Sequence, residues 1–152
     1  MSAGPLYHGG APGLRPGDLV APGHQRQVHP GCVHCAAHAA GTSSALEPAT
    51  ERTDMVYLTP VRLYAQYYAS LYGRGDLYRV EPVGDTLRSQ EDSIETWTAP
   101  AARVVAVLER AVLLTWSQRR ALARTWRAAD AAAGRAPTYA DLVLDRMLGV
   151  RA

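Results

Sequence analysis

The sequence predicts a small α+β protein, and three observations carry that prediction. Strand-like segments gather in the first two thirds of the chain, one amphipathic helix lies between them, and helical periodicity takes over near residue 115. A length of 152 residues fits one domain with one core, long enough to fold without staples. We therefore expect a core over residues 1–114 and a C-terminal helical appendage of the same domain over 115–152.

Residues 5–10 read as a short strand ending at His8, with Gly9-Gly10 giving a turn. Pro12-Gly13-Leu14-Arg15-Pro16-Gly17-Asp18 is dense in turn formers, and Leu19-Val20 is a candidate brief strand. Residues 21–54 carry Pro, Gly, His, Ser and Thr without sustained periodicity and read as a long loop with one helical turn near Cys35–Ala40. Loops of that length in a compact domain are usually functional lids or disordered. Met55–Thr59 reads as a buried strand. Thr59-Pro60 then supplies a capping hydroxyl and a proline at the first helical position, for a helix reaching about Tyr72. Val61, Tyr64, Ala65, Tyr68 and Tyr72 share one face of it, and Gly73 and Gly75 stop it.

Leu77–Pro82 interleaves Leu, Tyr and Val with Arg and Glu, the pattern of a half-buried strand. Residues 84–96 are polar and loop-like. Ala102–Leu108 is an apolar run fit for a buried strand, which Ala111–Leu114 continues after a bend. Ser117–Ala133 sets Leu122, Trp126 and Ala129 on one helical face, and Gly134 closes it. Thr138 with Asp141 resembles a capping box for a last helix carrying Tyr139, Leu142, Val143 and Met147. Trp116, Trp126 and Tyr139 are expected in the core.

Composition narrows the function classes. With 16 basic and 14 acidic residues the net charge is +2, too balanced to argue for nucleic-acid binding through bulk electrostatics. Arg is the only long-chain cation, with no Lys, Asn or Phe in the chain, so Arg clusters reflect codon usage more than chemistry. No apolar run approaches a membrane span, and the start has neither the basic nor the apolar stretch of a secretory leader. The two Cys lie three apart and cannot staple distant segments, so a reduced, cytoplasmic setting is expected. No Walker pattern and no Gly-x-Gly-x-x-Gly after a strand is present. Arg74-Gly75-Asp76 reads as the turn before a strand.

Three short strings remain: Leu6-Tyr7-His8-Gly9-Gly10, Val56-Tyr57-Leu58-Thr59-Pro60 and Leu77-Tyr78-Arg79-Val80-Glu81-Pro82-Val83-Gly84. In this order and spacing, and with Leu14-Arg15-Pro16-Gly17-Asp18 after the first, the chain resembles the small rifampin ADP-ribosyltransferases over roughly residues 5–110. The resemblance implies a split-sheet core and a mono-ADP-ribosyltransferase of the glycosyltransferase class, with NAD as its substrate. It implies a His-Tyr-acidic triad in which His8 orients the NAD ribose, Gly9 meets the carboxamide and Tyr57 stacks on nicotinamide. The third member belongs in the loop after the Val-Glu-Pro-Val-Gly strand. Direct counting lands on Ser89 or Gln90, and one or two inserted residues bring Glu91 or Asp92 into register, Glu91 first. An aromatic about two turns past Pro60, Tyr67 or Tyr68, completes the nicotinamide pocket in the wider superfamily.

The chemistry suits those residue types. Nicotinamide leaves as a neutral base from a cationic nucleoside, so little acid catalysis is needed, and the ribose develops oxocarbenium character. The site must orient the ribose hydroxyls, hold the pyridinium ring and set negative charge beside the developing cation. An imidazole, a close-approaching glycine, a tyrosine face and a carboxylate supply those functions. The acceptor could be a small molecule, a protein or a nucleic acid. Two other readings keep the same fold: NAD glycohydrolysis, including by a toxin, and a non-catalytic nucleotide- or partner-binding module. His29, Cys32, Cys35 and His38 form a candidate zinc site, but four ligands within ten residues lack the long loop between close pairs that tetrahedral sites use.

Overall fold

The computed structural model describes residues 4–22, 40, 54–71 and 74–136. Seven strands and two helices run in the order β1 (Leu6–Gly10), β2 (Leu19–Val20), β3 (Val56–Leu58), α1 (Arg62–Leu71), β4 (Asp76–Val83), β5 (Leu87–Arg88), β6 (Trp97–Ala99), β7 (Ala101–Glu109) and α2 (Trp116–Ala132). This is an α+β fold, and its strand pairing is antiparallel throughout the described residues. One sheet has the order β1-β4-β7-β2 and the other β3-β6-β5.

Among the described residues the two sheets share one backbone rung, between Tyr7 of β1 and Thr59, the residue that follows β3. The Tyr7 N–H donates to the Thr59 carbonyl at 2.8 Å, and the Thr59 N–H donates to the Tyr7 carbonyl at 3.0 Å. Alternation in the strands then sorts the core. Leu6, Tyr78 and Val80 face Val56, Leu58 and Ala99 of the other sheet. Leu77 faces the opposite way, into a second cluster with Tyr64, Tyr67, Ile94 and Leu122, between the sheet and both helices. α2 therefore packs on the same body as the strands.

Gly9 and Gly10 belong to β1, where a turn was expected. Their meaning is steric. A Cβ on Gly9 would overlap the carbonyl oxygen of Ala65, so the glycine lets α1 lie against the strand. That approach also turns α1 about its axis relative to the sequence expectation. Ala65 and Ala69 sit under the contact, Tyr64 and Tyr67 are buried beside it, and Tyr68 is half-buried. The helix begins at Arg62 rather than Pro60: Val61 provides the first accepting carbonyl, while the Thr59 hydroxyl accepts from the Val61 N–H at 3.1 Å.

Neither β5, which falls in the segment expected to be a loop, nor β6 was expected, and Ala111–Leu114 is not a strand. Ala111 takes a positive φ of 50°, breaking the run, and Val112 and Leu114 are buried in the second core cluster. α2 matches its expectation closely and opens on a capping box in which the Thr115 hydroxyl accepts from Gln118. Trp116, expected in the core, is 63% exposed because that cap places it on the outer side of the first turn. Trp126 is where it was expected, edge-on to Tyr64 and Tyr67. Asp76 is buried at 2% exposure, so Arg74-Gly75-Asp76 does not present its carboxylate to solvent. The last helix proposed from Thr138, and the loop over 21–54 apart from its ends and Ala40, lie outside the described residues. No described helix is long and apolar enough to cross a membrane.

Candidate functional site

Beyond the Tyr7–Thr59 rung the two sheets part, and His8 stands at the parting. A continued antiparallel ladder would next pair Gly9 with Tyr57. Among the described residues that rung is not made. The His8 side chain instead donates from Nδ1 to the Tyr57 carbonyl at 2.9 Å. A carbonyl can only accept, so Nδ1 carries the proton. Burial pushes the His8 imidazole below its ordinary value of 6.5, against a smaller opposing effect of the Tyr57 carbonyl. The ring is therefore neutral at pH 7, and its Nε2 is an acceptor.

Nε2 lies over the second glycine. A Cβ on Gly10 would stand 2.5 Å from it, so Gly10 leaves the space the imidazole occupies. Gly9 contributes its backbone. Alternation along β1 turns its N–H and C=O to the edge that Tyr7 uses toward Thr59, which is the edge facing the split.

Tyr57 reaches the acidic loop. Its hydroxyl donates to Oε1 of Glu91 at 2.5 Å. Glu91 lies in the β5–β6 loop, residues 89–96, which the Ser89 N–H closes onto the Thr96 carbonyl at 2.8 Å. The Thr59 hydroxyl donates to the Glu95 carbonyl at 2.7 Å, tying the end of β3 to the same loop. Tyr57 thus makes two separate hydrogen bonds that tie three segments together, its main-chain carbonyl with the His8 imidazole and its phenol with the Glu91 carboxylate.

The neighbouring candidates point elsewhere. Asp92 accepts from the Tyr64 hydroxyl and, at 3.2 Å, from the Ile94 N–H, so it faces α1. Burial pushes its carboxyl up, the Tyr64 hydroxyl working against that. Tyr68 stands edge-on to Tyr64 and Tyr67 and shares a hydrogen bond with the Tyr64 hydroxyl at 3.0 Å. Ser89 is buried and Gln90 exposed. The steric role of Gly10 under the imidazole and the Thr59–Glu95 and Tyr64–Asp92 contacts were not read from sequence. The Gly-Gly pair was the available signal, legible only once a large side chain is known to lie over it. His29, Cys32, Cys35 and His38 lie outside the described residues, and among the described residues no group of three or more His, Cys, Asp or Glu could hold a metal ion.

Behind the site, Asp76 fastens the segment after β1. It accepts from the Gly13 N–H at 2.9 Å, from the Ala111 N–H at 3.0 Å and from the Arg110 guanidinium. Burial alone would push its carboxyl up, but those donors together hold it below the usual carboxylate range. The Tyr78 hydroxyl, beside it, donates to the Ala11 carbonyl at 2.7 Å. Compared with known proteins, the chain matches no family model, and no curated protein matches it significantly.

Proposed function

We propose that the protein is a mono-ADP-ribosyltransferase that cleaves NAD at the nicotinamide–ribose bond. The observation that carries this reading is the juxtaposition of His8, Tyr57 and Glu91 where the two sheets part beyond the Tyr7–Thr59 rung. The fixed tautomer of His8 supports it, because an Nε2 acceptor suits a donating ribose hydroxyl. The Gly9 N–H and C=O, turned to the same edge, match a carboxamide, which offers one acceptor and one donor. The Tyr57 ring is the aromatic face for the pyridinium. Glu91 is the negative group for the developing cation and, by accepting the proton of the incoming nucleophile, the base. The C1′–N bond breaks with its electron pair leaving on nicotinamide, and a lone pair of the acceptor forms the new bond to C1′.

The test is NAD turnover. Nicotinamide release by the parent protein, strongly lowered in His8→Ala and in Glu91→Gln, is the expected result. Labelled NAD added with lysate fractions then distinguishes label on an acceptor from free ADP-ribose, the product of glycohydrolysis. A parent protein that binds NAD without releasing nicotinamide would leave the non-catalytic binding module in its place.

A further inference from the structure

Both flanks of Glu91 in the chain are held by the end of α2. That helix finishes in a Schellman motif: the Gly134 N–H donates to the Ala131 carbonyl at 3.1 Å and the Arg135 N–H to the Asp130 carbonyl at 2.9 Å, with Gly134 at a φ of 68°. The left-handed residue reverses the chain. The Arg135 guanidinium then donates to the Gln90 carbonyl at 2.6 Å and to the Glu91 carbonyl at 3.4 Å. One turn earlier, the Asp130 carboxylate accepts from the Ser93 hydroxyl at 2.6 Å.

Helix stability does not account for Asp130. A carboxylate in the last turn opposes the helix dipole, and this last turn holds no basic residue to offset it. At 9% exposure it also costs solvation. Its gain is the hydroxyl of Ser93, two residues from Glu91. We propose that Asp130 and Arg135 are positioning residues: from the end of α2 they fix the backbone on either side of Glu91 so that its carboxylate meets the Tyr57 hydroxyl. The C-terminal helix is then part of the site. The inference rests on the NAD-cleaving reading above.

The experiment measures kcat and KM for NAD by nicotinamide release from the full chain. Arg135→Ala and Asp130→Ala should each lower kcat roughly tenfold at near-constant KM, the size of effect typical of lost orienting contacts. Arg135→Lys, which still donates to the Gln90 carbonyl, should recover most of that loss. Arg124→Ala, at an exposed position of α2, should match the parent. Arg135→Ala added to Glu91→Gln should change nothing further, because a residue acting through Glu91 has nothing left to act through. Ser93→Ala releases Asp130 from the loop side without altering α2, and should reproduce the kcat loss even if Asp130→Ala fails to fold. Unchanged kcat in Arg135→Ala and Ser93→Ala overturns the proposal, as does the same loss with and without the Glu91 carboxylate. A parent that turns over NAD while these variants match it removes the positioning role alone. A parent that releases no nicotinamide removes the NAD reading, and the positioning role with it.

Discussion

The His8 side chain takes the Tyr57 carbonyl that a continuous β-ladder would have given to Gly9. One hydrogen bond therefore does two things. It holds β1 and β3 together past their last backbone rung, and it leaves the edge at Gly9 facing the parting of the sheets. The same bond selects the imidazole tautomer, so the end of the backbone ladder and the chemical state of His8 have one cause.

That coupling predicts a pH dependence. Burial holds His8 below 6.5 in the folded protein. Nε2 should remain an acceptor as the pH falls through 6.5, and the acid limb of kcat/KM for NAD should turn below that value. The stability contribution has the same sign. The unfolded chain takes up the proton first, so the contribution is complete above pH 6.5 and declines as the pH drops from 6.5 toward the folded value. An NMR titration of His8 alongside the rate profile checks both, and an inflection at or above 6.5 contradicts them.

The two glycines of β1 should separate folding from function. Gly9→Ala drives a methyl into the backbone of α1 and should destabilise the protein by about 2 to 3 kcal/mol. Gly10→Ala meets only the tip of the His8 ring, which can swing away. Stability should then stay within about 1 kcal/mol of the parent, helped by the lower chain entropy of alanine. Turnover should drop about tenfold as the imidazole leaves its position. Urea denaturation and nicotinamide release distinguish the two, and the same pattern in both variants would refute the assignment.

Asp76 should behave as a structural carboxylate. Asp76→Ala removes the acceptor of two backbone N–H groups and a guanidinium, and should cost about 3 kcal/mol, the range for breaking a buried charged network. Its folded value is depressed, so its contribution is present above 3.8 and is lost only as the pH falls through the folded value. Acid denaturation of the parent and the variant should converge in that range.

What could be read from the sequence follows from which features are local. Leu77–Pro82 and Ala102–Leu108 alternate or run apolar long enough to declare themselves, and both are strands. Trp97–Ala99 is a three-residue strand after a polar loop, and its pairing with β3 is set by partners forty residues away. Gly9 and Gly10 carry the mark of a turn, yet here each answers to a neighbour in space. At the site, the order of the three strings picks out His8 and Tyr57. Asp130 and Arg135 look from sequence like the exposed end of a helix; only the closure of the β5–β6 loop brings them to Glu91.

Glu91 and Asp92 are adjacent in the chain, and the fold sends them to opposite sides of the loop, one to Tyr57 and the other to Tyr64. They should respond differently to loss of charge. Glu91→Gln should lower NAD turnover about a hundredfold, in line with removal of one electrostatic stabiliser of a transition state. Asp92→Asn should leave turnover within a few-fold, because its amide can accept from the Ile94 N–H and donate to the Tyr64 hydroxyl, which then donates to Tyr68. The folded Asp92 carboxyl is raised by burial, so the parent gains stability from this residue as the pH falls through the folded value toward 3.8. The variant lacks that gain. Its stability relative to the parent should therefore be highest at neutral pH and should decline on acidification. Steady-state kinetics with urea denaturation at neutral and acid pH tests both residues, and a larger loss of turnover in Asp92→Asn than in Glu91→Gln would reverse their roles.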